Sequence, residues 1–164
     1  MEIKKAMQDA FNAQINKEFG AAYLYLSMAA YFEQRGLSGF AKWMKHQAQE
    51  ELSHGMKCFT HIVERGGTVK LTAIDAPKQT WKSATDAFTD AYNHEKKVTA
   101  SISELYTLAQ KEGDYSALPL LHWFLEEQIE EEANTKAVLD KLALVDGQPS
   151  LYLLDKELGK RKEE

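Results

Sequence analysis

Four glutamates, Glu18, Glu51, Glu95 and Glu131, stand at positions where the surrounding pattern calls for buried apolar residues. His54 follows Glu51 by three residues and Glu131 follows Gln128 by three, so on a helix each pair shares one face. A buried, uncompensated carboxylate costs several kcal/mol, and several together cannot all ionise without a counter-charge. No Lys or Arg sits at that level of the same stripes. A hydrogen-bonded polar layer that fixes helix register would account for one such glutamate but poorly for four. Metal is the simplest missing charge, since two divalent ions neutralise four carboxylates. Hard oxygen donors with one imidazole suit iron or manganese, whereas a closed zinc site would show more Cys or His. Carboxylates also tolerate the ferric state, and the chemistry that follows is a di-iron site reacting with O₂.

The elements that must bring these groups together are legible as four stripes with apolar 3-4 spacing. They run Phe11-Ile15-Glu18-Ala22-Tyr25-Ala29-Phe32, Phe40-Met44-Gln47-Glu51-His54-Cys58, Ala84-Phe88-Ala91-Glu95-Val98-Ile102-Leu105 and Leu121-Phe124-Gln128-Glu131-Thr135-Val138-Leu142. The spacing predicts helices over about 4–34, 38–65, 83–111 and 115–144. Gly36-Leu37-Ser38 ends the first and offers Ser38 as a cap for the second. Gly66-Gly67 closes the second, Ser83 with Asp86 resembles a capping box, and Gly113-Asp114 separates the third from the fourth. Pro119 fits only if the fourth helix starts nearer Ser116 than Asp114. A short fifth helix is expected after Pro149-Ser150, over about 150–160, with Leu151, Leu154 and Leu158 on one face.

Tight joints make the first and second helices antiparallel, and likewise the third and fourth. The connection from Gly66 to Ser83 is much longer. Extended, it spans about 50 Å at ~3.3 Å per residue, enough to return along a helix of about 40 Å. The fold expected is all-α: one domain over 1–164, a four-helix bundle (about 4–144) with one long crossover between helices 2 and 3, plus the short C-terminal helix. Each polar interruption falls near mid-helix, so all of them converge at one depth.

Composition narrows the partners. With 44% hydrophobic and 27% charged residues the chain has a full core. Net charge −5 without a basic cluster argues against nucleic acid. Cys58 is the only cysteine, which excludes an intrachain disulfide and a CxxC metal knuckle. MEIKKAMQDAF lacks the apolar run of a signal peptide and no segment is long enough to span a bilayer, so a cytoplasmic protein away from membranes is expected.

The segments NKEFGAAYLYLSMAAYF, GFAKWMKHQAQEELSHGMKCF, YNHEKK, HWFLEEQIEEEAN and LLDKEL span almost the whole chain, and together they resemble the prokaryotic non-haem ferritins. A general di-iron bundle carries Glu-x-x-His on two helices. Here the fourth helix has Gln128-x-x-Glu131 instead, as ferritins do and bacterioferritins do not. Leu52 stands where bacterioferritins have their haem-ligating Met, so no haem is expected.

The resemblance implies two irons per subunit. Glu18, Glu51 and His54 would hold the first, with Gln128 near it; Glu51, Glu95 and Glu131 would hold the second, making Glu51 the bridge. A third iron maps onto Glu50, Glu127 and Glu130, where a solvated acidic run competes as an explanation; Glu126 and Glu132 read as surface. Tyr25 and Trp123 match family aromatics near the iron, although packing explains aromatics on core stripes equally well. His46, His61, His94 and His122 have weaker claims, and Cys58 reads as a small core residue.

The function implied is ferroxidase activity on Fe²⁺ with O₂, or H₂O₂ as another oxidant. The ferric mineral would be stored in a hollow shell of twenty-four subunits, the fifth helix lining its four-fold contacts. Two alternatives are a rubrerythrin-like di-iron oxidase or peroxidase that stores nothing, and a structural bundle or DNA-protecting mini-shell. One cysteine cannot build the iron domain of the former, and the net charge disfavours the latter.

Overall fold

Gly36 and Gly113 adopt left-handed backbone, φ 71° and 64°, and each stops a helix where the sequence predicted a break. In the structure, a computed structural model that describes residues 1–162, five helices follow in order: α1 (Lys5–Gln34), α2 (Ser38–Glu64), α3 (Ala84–Glu112), α4 (Leu118–Ala143) and α5 (Gly147–Leu158). No strand occurs among the described residues. None of their helices is long and apolar enough to cross a membrane.

The helix starts differ from expectation in instructive ways. Ser83 does cap α3, its Oγ accepting from the Asp86 N–H at 3.1 Å, while Asp86 accepts from the Lys82 N–H at 2.9 Å. Ser38 does not cap α2; it is already helical, and Leu37 precedes it without a capping side chain. The donor is satisfied from far away, the Phe40 N–H reaching Asp155 Oδ1 of α5 at 2.9 Å. This works because position 39 is glycine: a Cβ there would lie 1.7 Å from the Asp155 carbonyl oxygen. α4 begins at Leu118, which leaves Pro119 in the first turn, where no intrahelical donor is lost. α5 begins at Gly147, earlier than expected, and likewise takes Pro149 into its first turn.

The crossover between α2 and α3 is fastened along the outer face of α1. Gln8 Oε1 accepts from the Thr68 N–H (2.9 Å), and Asn12 both donates to Thr68 O (3.0 Å) and accepts from the Lys70 N–H (2.7 Å). Farther on, Asn16 donates to Ala73 O (3.0 Å) and Ser27 to Lys78 O (2.6 Å). The partners ascend together, so the crossover runs parallel to α1 and delivers α3 parallel to α2.

Two apolar clusters fill the bundle. One joins Met28, Phe32, Phe40, Met44, Phe88 and Leu142; the other joins Phe11, Ile15, Ile62, Ile102, Leu121 and Phe124. α5 packs Leu154 and Leu158 onto the first of these. Between the clusters lies the polar layer.

Candidate metal centre

Each bundle helix contributes to this layer from its middle: Glu18 from α1, Gln47, Glu51 and His54 from α2, Glu95 from α3, and Gln128 and Glu131 from α4. None of the four glutamates is more than 2% exposed and His54 is 3% exposed, so solvent does not hold these charges. They sit in a slab of polar groups with apolar core above and below.

Neighbouring side chains engage some of the ligand-type atoms and leave others. Gln14 Nε2 donates to Glu18 Oε1 at 2.7 Å, and Gln47 Nε2 donates to Glu131 Oε2 at 2.7 Å. The Tyr25 hydroxyl donates to Glu95 Oε1, and Gln128 Nε2 to Glu95 Oε2 at 3.2 Å. Glu18 Oε2, Gln47 Oε1, both oxygens of Glu51, His54 Nδ1 and Gln128 Oε1 are buried without a hydrogen-bond partner. Buried polar groups are rarely left unmatched. Six on adjoining residues, all lone-pair donors except for the undetermined ring tautomer, fit a cation.

Electrostatics point the same way. Burial, above all, raises the proton affinity of every glutamate in the layer. Glu95 is pushed up to about 7 and Glu131 to about 8, the neighbouring carboxylates adding to the latter. Glu51 is raised well above the ordinary range by burial and then by the charges of Glu95 and Glu18; Glu18 is also raised. Burial lowers His54 to about 4, so near neutral pH its imidazole is uncharged and can offer a lone pair.

Two trios offer ligand atoms all within 4.8 Å of one another: Glu18, Glu51 and His54, and His54, Glu127 and Glu131. The first matches the expected first iron position. In the second, Glu131 is grouped with His54 and Glu127, while Glu95 is drawn toward Tyr25 and Gln128. The expected third set is less gathered. Glu50 is paired with Arg161 at 2.9 Å, Glu127 is half-buried beside His54 at 3.7 Å, and Glu130 is exposed. A cavity of about 290 Å³ bordered by Glu50, His54, Trp123 and Glu127 reaches this side of the layer.

Tyr25 is wholly buried within bonding reach of Glu95, and Trp123 meets the His54 ring edge-on with centroids 5.5 Å apart. His61 contacts Arg65 and His122 contacts Tyr106, both away from the layer. His94 lies edge-on to Tyr25 at 6.2 Å. Cys58 is buried core, its thiol pushed up by burial. Exposed Glu126 is surface as expected, but Glu132 is not: it is half-buried and accepts from Thr99 Oγ1 at 2.6 Å. The sequence reading missed Gln14 and the positive charge of Arg161. Gln14 stands one turn before Glu18, which could have flagged it; Arg161 comes from beyond α5, and nothing local announces it.

Comparison with known proteins finds the same fold. The ferritin-like domain profile matches residues 8–145. The bacterial non-heme ferritin of Bacteroides fragilis strain 638R is 37% identical over 159 residues, covering 97% of this chain and 99% of that protein. The namesake from Staphylococcus saprophyticus is 41% identical over 160 residues, covering 97% and 96%. An Archaeoglobus fulgidus ferritin engineered into a closed form superposes with a TM-score of 0.97 at 46% identity, covering 99% of this chain and all of the other. The open-pore ferritin of the same archaeon superposes at 0.96 and 46% identity, with 98% of each chain covered.

Proposed function

The chain belongs to the ferritin-like family, and from that premise we propose that it oxidises Fe²⁺ and stores the ferric product inside a closed homo-oligomeric shell. The shell is a cytoplasmic twenty-four-subunit assembly with no nucleic-acid or membrane partner. The observation that carries the proposal is the buried layer whose lone pairs on Glu18, Glu51, His54 and Gln128 lack partners.

Fe²⁺ is the substrate. Glu18, Glu51 and His54 hold the first ion, with Gln128 beside it; Glu51, Glu95 and Glu131 hold the second, Glu51 serving both. Glu50, Glu127 and Glu130 form a third position. No haem takes part. A pair of Fe²⁺ ions gives two electrons to O₂, which takes two protons and leaves as H₂O₂, or to H₂O₂, which takes two protons and leaves as two waters. The carboxylates stabilise the added positive charge. Glu95 and Glu131, with proton affinities near pH 7 and 8, release their protons as the cations enter. His54 enters already neutral. Tyr25 and Trp123 flank the layer, where either is placed to supply an electron.

Excess Fe²⁺ added aerobically, followed by size exclusion with iron and protein read together, tests this. Iron far above two per chain, co-eluting with a large assembly, is the expected result. About two per chain, the filling of a paired carboxylate site alone, would turn the function toward a di-iron oxidase that does not store iron.

A further inference from the structure

Outside the layer, a line of hydrogen bonds runs from the surface to Glu18 across the seam between α1 and α3. Lys17 Nζ donates to Ser101 Oγ at 2.7 Å, Ser101 Oγ donates to Gln14 Oε1 at 2.7 Å, and Gln14 Nε2 donates to Glu18 Oε1 at 2.7 Å. We propose that Ser101, held by Lys17, is a positioning residue that acts through Gln14 to make Glu18 present its other oxygen, Oε2, to Fe²⁺. The inference deepens the proposed function and rests on it.

The chemistry of the groups fixes the direction of the line. An ammonium only donates, so Ser101 Oγ must accept from Lys17, and its own proton is free to point at Gln14. That hydroxyl proton settles which end of the Gln14 amide faces which neighbour: oxygen toward Ser101, NH₂ toward Glu18. A reversed amide would set oxygen against carboxylate. Ser101 also differs from other hydroxyl residues of α3. Thr89, Ser103 and Thr107 each donate to the carbonyl one turn back, whereas Ser101 gives its proton to Gln14. Gln14 and Ser101 are buried, at 1% and 9% exposure, beneath a surface cavity of about 190 Å³ that Lys17 also lines. The result at the far end is an asymmetric carboxylate, with Oε1 engaged and Oε2 unpartnered in the layer.

The test is Co²⁺ titration of the assembled protein, followed by the visible absorption of the bound ion, for wild type, Ser101→Ala, Lys17→Met, Lys17→Arg and the Ser101→Ala/Lys17→Met pair. Ser101→Ala should weaken the first Co²⁺ by about 10-fold, as loss of an outer partner of a ligand does. Lys17→Met should weaken it less and Lys17→Arg should restore it. The double variant should match Ser101→Ala alone, because both act through one line. Lys17 is exposed, so its variants test the line even if Ser101→Ala folds poorly. Wild-type binding with unchanged affinity in Lys17→Met and Ser101→Ala, or additive losses in the pair, would overturn the inference alone. A wild-type protein that takes up no Co²⁺ would overturn the proposed function together with it.

Discussion

The hydroxyl of Tyr25 on α1 donates to Glu95 Oε1 on α3, so the Glu95 carboxylate is oriented by a buried phenol. Burial, reinforced by the charge of Glu95, holds that phenol's proton far above the ordinary tyrosine range. Tyr25 is therefore a fixed donor at any working pH. Tyr25→Phe should slow Fe²⁺ oxidation by about 10-fold, the usual loss when an outer partner of a ligand is removed. The stability cost of the lost bond should be about 1 kcal/mol. Stopped-flow absorbance and thermal melts report the two, and an unchanged rate would reduce Tyr25 to packing.

Glu51 serves both proposed iron positions and has two unpartnered oxygens. In Glu51→Ala, oxidation should fall to the rate of Fe²⁺ in buffer alone while size exclusion still shows the shell. Fast oxidation in this variant would refute the ligand assignment.

Stability of the metal-free protein should depend on pH in a defined window. Glu95 and Glu131 are raised from about 4.5 to about 7 and about 8, so the folded chain keeps protons the unfolded chain has lost. Their contribution is full below the unfolded value and disappears as pH rises through 7 and 8. His54 is lowered from 6.5 to about 4, so its contribution is present above 6.5 and is lost as pH falls toward 4. Between pH 6.5 and 8 the carboxylates act alone and the melting temperature should drop by several degrees. A saturating divalent ion should flatten that decline. A metal-free melting temperature that rises across this window contradicts the assignment.

Arg161 bears on the third position. Its guanidinium pairs with Glu50 at 2.9 Å, lies over the Trp43 ring at 4.7 Å, and lowers the proton affinity of Glu131. A third cation on Glu50 must displace or share this charge. Arg161→Gln should tighten binding of a third Zn²⁺ per chain, read by calorimetry, and leave the first two steps nearly unchanged. Weaker third binding would mean that Arg161 organises the position instead of competing for it.

Docking of α5 depends on a contact between Gly39 and Asp155. Asp155→Ala removes the carboxylate that accepts from the Phe40 N–H and should cost about 0.5–2 kcal/mol, the range for a lost helix cap. Gly39→Ala should do more damage, since the added carbon would fall 1.7 Å from the Asp155 carbonyl oxygen. Both are measured by denaturant melts; Gly39→Ala at parental stability would show that α5 does not need this approach.

The sequence by itself determined the four stripes, their polar interruptions and the breaks between them. These are local facts: a period near 3.6 selects one face of a helix, and glycine at φ 64° or 71° stops it. It also determined that Glu18, Glu51, His54, Glu95, Gln128 and Glu131 lie at one depth, because equal helices joined end to end align their middles. Long-range partners were beyond it. Gln14 and Ser101 are 87 residues apart, Gln47 and Glu131 are 84 apart, and Phe40 and Asp155 are 115 apart. Only the tertiary structure decided these pairings, and with them which oxygen of each carboxylate is already engaged. It also grouped Glu131 with His54 and Glu127, set Arg161 on Glu50, and turned Glu130 outward. Helical periodicity fixes the face on which a side chain stands. Its rotamer and its hydrogen-bond partner depend on what another helix presents at that height, and no local pattern encodes that.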